Sequence, residues 1–236
     1  MVNNMKVELI ENTPNPDKLV ARCARGCYRS EGVGNDYSYD EIISHASGDT
    51  RNERTENLLK HLFRSGHFGP WENPHVTFAI EGISRACMAQ ATRHRHLSFE
   101  VQSMRYVDMK DPKMYYPPSS NSDEVVSREG VTDIPSEKVK NIFSQHYSDC
   151  IDRYQELVQM GVPKEDARFA LPLGTCINLS VSGNFRSWLH FLNMRGKMDA
   201  QSEVREVSTE ILNELREVAP ITIKIFEEES PLKLAP

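Results

Sequence analysis

The sequence has neither an excess of basic residues nor a long uninterrupted apolar segment. Its 236 residues carry a formal net charge of -6. Proteins that bind nucleic acid over a broad face are normally basic, so this class is disfavoured, although a local basic pocket is still allowed. A membrane-spanning helix needs about 20 mostly apolar residues, and no such run occurs. We therefore expect no general nucleic-acid binding and no membrane span.

Cysteine is scarce and follows no metal-binding or redox motif. The five cysteines are Cys23, Cys27, Cys87, Cys150 and Cys176. Only the first two are close in sequence, and their spacing is typical of one helix face rather than of the paired Cys and His ligands of a zinc site. A scattered, odd set is typical of reduced thiols. Residues 1–6 lack the pattern of a secretory signal, so we expect a cytoplasmic protein without a metal.

A glycine-rich GxGxxG loop and internal repeats are also missing. The first absence argues against dinucleotide binding in the Rossmann manner. A chain of this length can bury roughly 70–75% of its unfolded surface in a single domain. We therefore expect one domain over residues 1–236, stabilised without disulfides.

Hydrophobic periodicity predicts a mixture of strands and helices. Strands are predicted at residues 7–10, 76–80, 175–181 and 220–226. Helices are predicted from Pro16 with Asn15 as cap, at 39–46 with Ser38 as cap, at 56–65 with Thr55 as cap, and at 83–94, 136–160, 184–197 and 203–218. Gly66 is expected to end its helix. Residues 107–140 give little signal, residues 115–123 look like a long surface loop within that stretch, and the tail after Glu229 is expected to be loose.

The densest cluster of side chains that could bind a ligand lies in residues 93–106, which contain three arginines, two histidines and two serines. Arginine grips phosphate with a planar, two-pronged fork, and serine adds a short donor. In an acidic chain this cluster indicates a local anion site. Nucleic-acid patches and solvated turns have similar compositions. The residue types therefore leave a small phosphorylated ligand, a nucleic-acid patch and a plain surface turn as alternatives.

Three other segments contain polar residues in unusual surroundings. Residues 66–72 are rich in His, Pro and Gly, residues 163–172 place Arg168 among apolar neighbours, and residues 184–203 carry polar side chains on both flanks of an apolar helix stripe. Taken singly, they read as a polar turn, a salt-bridged surface arginine and a core helix with solvated edges.

Together, the four segments resemble the flavin-dependent thymidylate synthases. Residues 93–105 match every fixed position of the signature Arg-His-Arg-x-x-Ser-x-x-x-x-Ser-x-Arg. Residues 66–72 match Gly-His-x-x-Pro-aromatic-Glu, residues 163–172 match Pro-x-Glu-x-Ala-Arg-x-x-Leu-Pro, and residues 184–203 match the last segment. The chain departs from common family residues at Gly69, Glu100, Val101, His190 and Asp199.

The resemblance implies a fold, a reaction and a set of ligands. The fold would be α/β, with a central, mostly antiparallel sheet flanked by helices. The reaction would convert dUMP to dTMP, with 5,10-methylenetetrahydrofolate as carbon donor and NADPH as the reductant of bound FAD. The family assembles as a homotetramer with sites shared between subunits, and we expect the same here.

The resemblance also assigns site residues. Those implied to bind dUMP are Gln90, Arg93, Ser103, Arg105, Arg168 and Arg195. Those implied to bind FAD are His67, Glu72, Arg93, His94, Arg95, Asn184, Arg186 and His190. Arg195 is also the predicted catalytic residue, because a fixed positive charge would favour uracil ionised at N3.

Two other functions are compatible with such a pocket. One is a flavin- and folate-dependent methyltransferase that acts on uracil in RNA, which the net charge of -6 disfavours. The other is a module that binds a nucleotide or nucleic acid without turnover. Replacement of Arg195 separates them, since only the enzyme should keep binding while product formation collapses.

Overall fold

The computed structural model describes residues 5–30, 32–121, 124–127 and 130–230. Its strands there are β1 (Lys6–Asn12), β2 (His75–Ser84), β3 (Ser98–Val101), β4 (Glu124–Ser127), β5 (Gly130–Pro135) and β6 (Cys176–Asn184). Its helices there are α1 (Pro16–Gly26), α2 (Tyr39–Ile43), α3 (Arg51–Arg64), α4 (Arg85–Ala91), α5 (Pro118–Asn121), α6 (Ser136–Gln159), α7 (Lys164–Ala167), α8 (Phe185–Arg195), α9 (Ser202–Val218) and α10 (Pro220–Glu229). Short 3₁₀ turns occupy Gly69–Glu72 and Arg168–Ala170.

Four strands form the main sheet in the order β1-β2-β6-β3. Strand β6 alternates in burial as a half-covered strand should, with Ile177, Leu179 and Val181 buried. The second sheet is the antiparallel hairpin of β4 and β5, in which Val126 lies opposite Val131. The mixture of helices with antiparallel sheet confirms the predicted α/β class.

The described chain divides into two compact units whose segments alternate along the sequence. The first unit contains Ile80–Arg93 and Glu100–Ser180, together with the chain up to Lys6. The second contains Val7–Ala79, His94–Phe99 and the chain from Val181 onward. The assignment of residues 1–236 to a single domain stays a prediction.

The second unit is built around two buried tryptophans. Trp71 is fully buried in the 3₁₀ turn, and its indole Nε1 donates to Thr222 Oγ1 at 3.1 Å. Trp188 of α8 packs edge-on against Phe78 of β2, with ring centroids 5.0 Å apart. Its indole Nε1 donates to the Val76 carbonyl at 3.3 Å. These contacts fix α8, which carries several predicted site residues, against β2.

Residues 220–226 form the start of helix α10, so the predicted strand there is wrong. The β-branched Ile-Thr-Ile sequence favours a strand locally, but a distant carboxylate stabilises the helix. Asp17 of α1 accepts the amide N–H groups of Ile221 and Thr222, both at 3.0 Å. These are amides of the first helical turn, which lack partners within the helix. Burial raises the pKa of Asp17, while its hydrogen bonds act in the opposite direction.

Other helix ends differ from prediction because caps were misassigned. Helix α3 begins at Arg51 rather than residue 56, since the Thr50 hydroxyl accepts the Glu53 amide N–H and the Glu53 carboxylate accepts the Thr50 amide N–H. This reciprocal pair is a capping box. Thr55 lies inside α3 and bonds Tyr39 at 2.7 Å. The predicted Asn15 cap makes no side-chain hydrogen bond, whereas the predicted capping by Ser38 is confirmed.

The stretch 107–140, with its predicted surface loop at 115–123, contains buried and regular structure. Tyr115 and Tyr116 are buried, and α5, β4 and β5 lie within this range. The Tyr115 carbonyl accepts a hydrogen bond from the hydroxyl of Tyr147 on α6 at 2.8 Å. Gly174 makes room for this contact, because a Cβ there would collide with the Tyr147 ring. The sequence did not predict this structure, because it depends on tertiary contacts between residues that are far apart in sequence.

Several other elements agree with the sequence. The helices predicted at 136–160 and 203–218 are α6 and α9, and the strand predicted at 175–181 is part of β6. Gly66 follows α3 with φ of 73°, a left-handed conformation that favours glycine. The predicted loose tail beyond Ser230 lies outside the described residues. Within the described ranges, no helix combines the length and hydropathy needed to cross a membrane.

We predict that Asp17→Ala lowers the free energy of unfolding by about 2 kcal/mol, because one buried and one part-buried amide of α10 lose their acceptor. Urea unfolding of both proteins measures the difference. Asp40→Ala is a matched control, since Asp40 is exposed and pairs with Arg51 at the surface. A control that destabilises the chain as much as Asp17→Ala would contradict this role.

Candidate active site

The Arg- and His-rich segment of residues 93–106, here called the cationic run, begins beyond helix α4 and not within it. Ser84 caps α4, and the helix ends at Ala91, so the predicted helix at 83–94 is too long at both ends. Arg93 follows in a turn in which its amide donates to the Gln90 carbonyl at 3.3 Å. Arg93 is exposed, and Gln90 is half-buried. The turn therefore keeps these two predicted nucleotide ligands adjacent.

His94 and Arg195, far apart in sequence, meet in the second unit. The guanidinium Nε of Arg195 donates to His94 Nε2 at 2.9 Å. Arg195 is the last residue of α8 and is half-buried. His94 is buried, with 9% of its surface exposed. The structure therefore joins the predicted catalytic arginine to a histidine of the cationic run.

The environment of His94 keeps its imidazole neutral. Burial lowers the pKa of His94 to about 4, and the charges of Arg195 and His190 act in the same direction. The ring lies 4.8 Å from the Phe191 ring and 5.6 Å from the His190 ring, measured between centroids. A neutral imidazole can accept a hydrogen bond, as the contact with Arg195 requires.

A cavity of about 260 Å³ lies beside these residues in the second unit. Its apolar wall consists of Phe63, Phe68, Leu189 and Phe226. Polar groups are supplied by Arg186, His190, Asn193 and Ser230. Arg186, His190 and Asn193 follow one another at helical spacing along one flank of α8. Apolar walls with a few oriented polar groups are typical of sites for ring-shaped ligands.

Two predicted flavin ligands hold each other at the rim of this cavity. Arg186 and Glu72 form a short ion pair between half-exposed side chains. Asn184 caps α8, since its carboxamide oxygen accepts from the Ser187 amide and hydroxyl, both at 2.9 Å. Its Oδ1 is thus already used, which leaves the Nδ2 donor to face a ligand.

His67, another predicted flavin ligand in the second unit, contacts the aromatic residue Tyr28. The Tyr28 hydroxyl lies 3.4 Å from His67 Nδ1, and the two rings meet edge-on. Tyr28 is exposed. His67 is half-buried, and the predicted flavin ligand Arg95 is exposed.

In the first unit, Arg105 and Arg168 converge on one residue. Both Nε and Nη2 of Arg105 lie 2.7 Å from the same carboxylate oxygen of Glu165. The Nε of Arg168 donates to the Glu165 backbone carbonyl at 3.0 Å. The two arginines that the signature segments assign to the nucleotide therefore share a single anchor on α7.

Ser103 shapes the turn that carries Arg105. Its hydroxyl accepts the Arg105 amide at 3.3 Å, and its carbonyl accepts the amides of Tyr106 and Val107. The Arg105 guanidinium lies 5.7 Å from the centroid of the Tyr106 ring. This turn presents a hydroxyl and a guanidinium close together, which is a suitable arrangement for an anion.

Comparison with known proteins decides the family. The family model described as "Thymidylate synthase complementing protein" matches residues 8–221. A flavin-dependent thymidylate synthase of Haloarcula marismortui is 41% identical over 238 residues, which cover 95% of this chain and 96% of the relative. Its counterpart in Halobacterium salinarum is 42% identical with the same coverage. The chain belongs to the flavin-dependent thymidylate synthase family.

More distant family relatives and a solved structure agree with this. The flavin-dependent thymidylate synthase of Geobacter sulfurreducens is 35% identical over 230 residues, covering 96% of this chain and 88% of the relative. A crystal structure of a UMP/dUMP methylase PolB from Streptomyces cacaoi, bound with 5-Br dUMP, has a TM-score of 0.80. It covers 99% of this chain and 98% of its own at 22% identity. That likeness confirms the predicted fold.

Sequence reasoning missed several residues of this family member's site. Glu165 lies within a quoted signature segment, but its role as anchor for both arginines was not predicted. The cavity walls Phe63, Phe68 and Phe226 were read only as core or not singled out. A signal existed for Glu165, because an acidic residue next to two basic ones in the same segment suggests pairing. No local pattern marks the cavity walls, which come from three separate elements.

We predict that stability falls as the pH is lowered from about 6.5 to about 4, partly because of His94. In this window the unfolded chain binds a proton at this position that the folded chain does not, so unfolding becomes more favourable. His94→Gln removes this titration and should flatten the pH dependence of the unfolding free energy, measured by urea titration. Identical pH slopes for both proteins would contradict a neutral, buried His94.

Proposed function

We propose that the chain catalyses the reductive methylation of dUMP to dTMP, with 5,10-methylenetetrahydrofolate as carbon donor, NADPH as reductant and FAD as bound flavin. The observation that carries the proposal is the convergence of Arg105 and Arg168 on Glu165. These arginines come from two separate signature segments, and their convergence supports a single anion site. A nucleotide monophosphate has the charge and geometry that two guanidinium groups recognise.

The nucleotide end of the proposed site uses the first unit. In this proposal phosphate competes with the Glu165 carboxylate for Arg105, because both anions accept hydrogen bonds from the planar guanidinium fork. Ser103 supplies a hydroxyl beside it, and Arg168 a second positive charge. Gln90 and Arg93 lie together in the turn after α4 and complete the proposed dUMP set. Arg195 belongs to this set in the proposal as the residue that faces the uracil ring.

The second unit has groups that fit a flavin. The cavity of about 260 Å³ has aromatic walls and offers a guanidinium, an imidazole and a carboxamide. Its size is below the roughly 300–1,000 Å³ of whole drug-sized sites, so we assign it one ring system of FAD rather than the whole molecule. Glu72, Asn184, Arg186 and His190 would hold that part. His67, Arg93, His94 and Arg95 complete the proposed set, with the arginines facing pyrophosphate.

The chemistry divides between the flavin and this chain. When bound, the flavin supplies the hydride that makes the overall methylation reductive. Arg195 supplies fixed positive charge that favours uracil ionised at N3, which raises electron density at C5. A cysteine nucleophile is disfavoured, because Cys87 is fully buried and burial raises the pKa of the Cys150 thiol. The proposed enzyme therefore activates the ring by charge and not by covalent attack.

We also propose a cytoplasmic homotetramer in which sites are shared between subunits, without nucleic-acid partners. The support is an exposed apolar surface next to Arg168, a residue proposed to bind dUMP. Phe169, which follows Arg168, is 84% exposed, and Leu173 is 71% exposed. Large apolar side chains exposed together favour coverage by another protein surface.

The visible absorption spectrum of the purified protein tests the proposal most simply. We predict a flavin band that bleaches when NADPH is added anaerobically with dUMP present. A colourless protein that takes up no added FAD would contradict it. A flavin that is reduced but yields no dTMP would instead favour a binding module without turnover.

We predict that Arg195→Ala retains FAD and dUMP binding but lowers the rate of dTMP formation by about 100-fold, because one preorganised charge at the reacting ring is lost. Binding is measured by calorimetry and turnover by chromatography of the nucleotide product. Arg153→Ala is the matched control, since Arg153 is an exposed arginine on α6 that pairs with Glu156. Equal losses of binding and turnover in Arg195→Ala would contradict the catalytic role.

A further inference from the structure

The direction of the hydrogen bond between Arg195 and His94 follows from chemistry. A guanidinium has only donors, so Arg195 Nε gives the proton and His94 Nε2 accepts it across 2.9 Å. An imidazole that accepts at Nε2 and is neutral carries its own proton at Nδ1. The contact with Arg195 therefore fixes both the charge and the tautomer of His94.

The acceptor is itself held in place. The His94 ring packs against Phe191 at a centroid distance of 4.8 Å and an interplanar angle of 60°. Phe191 is only 2% exposed, so it provides a fixed wall. The His94 carbonyl also accepts the Leu97 amide at 3.0 Å. With ring and backbone both fixed, Nε2 is a rigid anchor point for the guanidinium.

Two other arginines of the proposed site have acceptors of a different kind. Arg105 pairs with Glu165, and Arg186 pairs with Glu72. A carboxylate orients an arginine but cancels its charge, whereas a neutral imidazole orients it and leaves the pair with a net charge of +1. The residue proposed to stabilise negative charge on uracil is the one bound to a neutral acceptor.

We propose that His94 is a positioning residue for Arg195: its neutral imidazole fixes the plane of the guanidinium through Nε without cancelling the charge that Arg195 directs at the pyrimidine ring. This inference rests on the proposed function and deepens it. It gives His94 a role distinct from the flavin contact that the resemblance implies.

Two polar variants of similar size distinguish this role from a merely structural one. The carboxamide oxygen of Gln at position 94 reaches the place of the imidazole Nε2, whereas that of Asn reaches only the place of Nδ1. His94→Gln therefore keeps a neutral acceptor for Arg195, and His94→Asn removes it. His96→Gln is the control, because His96 is exposed two residues away.

The direct readout is nuclear magnetic resonance of the Arg195 Nε–H group, assigned by its absence in Arg195→Lys. In the native protein and in His94→Gln we expect exchange with solvent to be at least about tenfold slower than for the exposed Arg153, since the proton is hydrogen-bonded. In His94→Asn this protection should disappear. Fast exchange in the native protein would overturn the inference, whatever the variants do.

The kinetic readout is a double-mutant cycle with dUMP as substrate. We expect kcat for dTMP formation to fall about tenfold in His94→Asn and to stay within about threefold of native in His94→Gln. His94→Asn combined with Arg195→Ala should be no slower than Arg195→Ala alone, because His94 acts through Arg195. Losses that multiply in the double variant would show that His94 acts independently and would overturn the inference.

The two readouts separate this inference from the proposed function. A protected Arg195 Nε–H in a protein that forms no dTMP would contradict the function but leave the anchoring by His94 supported. Normal turnover with an unprotected Arg195 Nε–H would support the function and contradict the anchoring by His94. Thermal melting of each variant shows whether it folds, and the exchange measurement on the native protein decides the anchoring even if His94→Asn does not fold.

Discussion

A guanidinium cannot lose its charge at any pH that the protein meets, and each unit of the chain places such groups beside acceptor side chains. Arg105, Arg186 and Arg195 each lie within hydrogen-bond reach of an acceptor side chain. Without such acceptors, these long side chains would take up many orientations. The acceptors therefore determine where the positive charges of this acidic chain point, and the chemistry of the site depends on that.

The acceptors also explain how one chain separates binding from reaction. Glu165 holds Arg105 by an ion pair and Arg168 through its backbone carbonyl, and in the proposed function a phosphate displaces the carboxylate from Arg105. His94 holds Arg195 through a neutral acceptor. In the proposed mechanism the first arrangement favours exchange of one anion for another, and the second fixes the guanidinium plane for the transition state. The two arrangements lie in different units of the chain, each with its own buried core.

Local patterns predicted the elements whose stability is local. Helices α6 and α9 have sustained apolar stripes, and β6 has alternating burial, so their types followed from periodicity. Helix α10 was mistaken for a strand because its first amides are satisfied by Asp17, about two hundred positions earlier in the sequence. A single sequence contains no signal for such a contact. Thr50 and Glu53 did form a readable capping pattern, which was overlooked in favour of Thr55.

In the candidate site, too, local sequence predicted some features, and contacts between distant segments determined the others. The signature segments predict which residues bind ligands, and Arg105, Arg168 and Arg195 each contact another residue of those segments. They gave no information on the pairings, since the Arg195–His94 and Arg105–Glu165 contacts join segments that only the fold brings together. The cavity walls from α3, α8 and α10 were unpredictable for the same reason. The identity of the candidate site residues could thus be predicted from local sequence, whereas their hydrogen-bond and ion-pair partners required the structure.

The most direct test of the account is the identity of the folate product. The transferred carbon enters as a methylene group and leaves as a methyl group, so two electrons are needed; if NADPH supplies them through the flavin, the folate is not oxidised. Purified protein incubated anaerobically with dUMP, 5,10-methylenetetrahydrofolate, FAD and NADPH should form one dTMP and one tetrahydrofolate for each NADPH consumed. Absence of dTMP, or dTMP formed with dihydrofolate and no consumption of NADPH, would contradict the account.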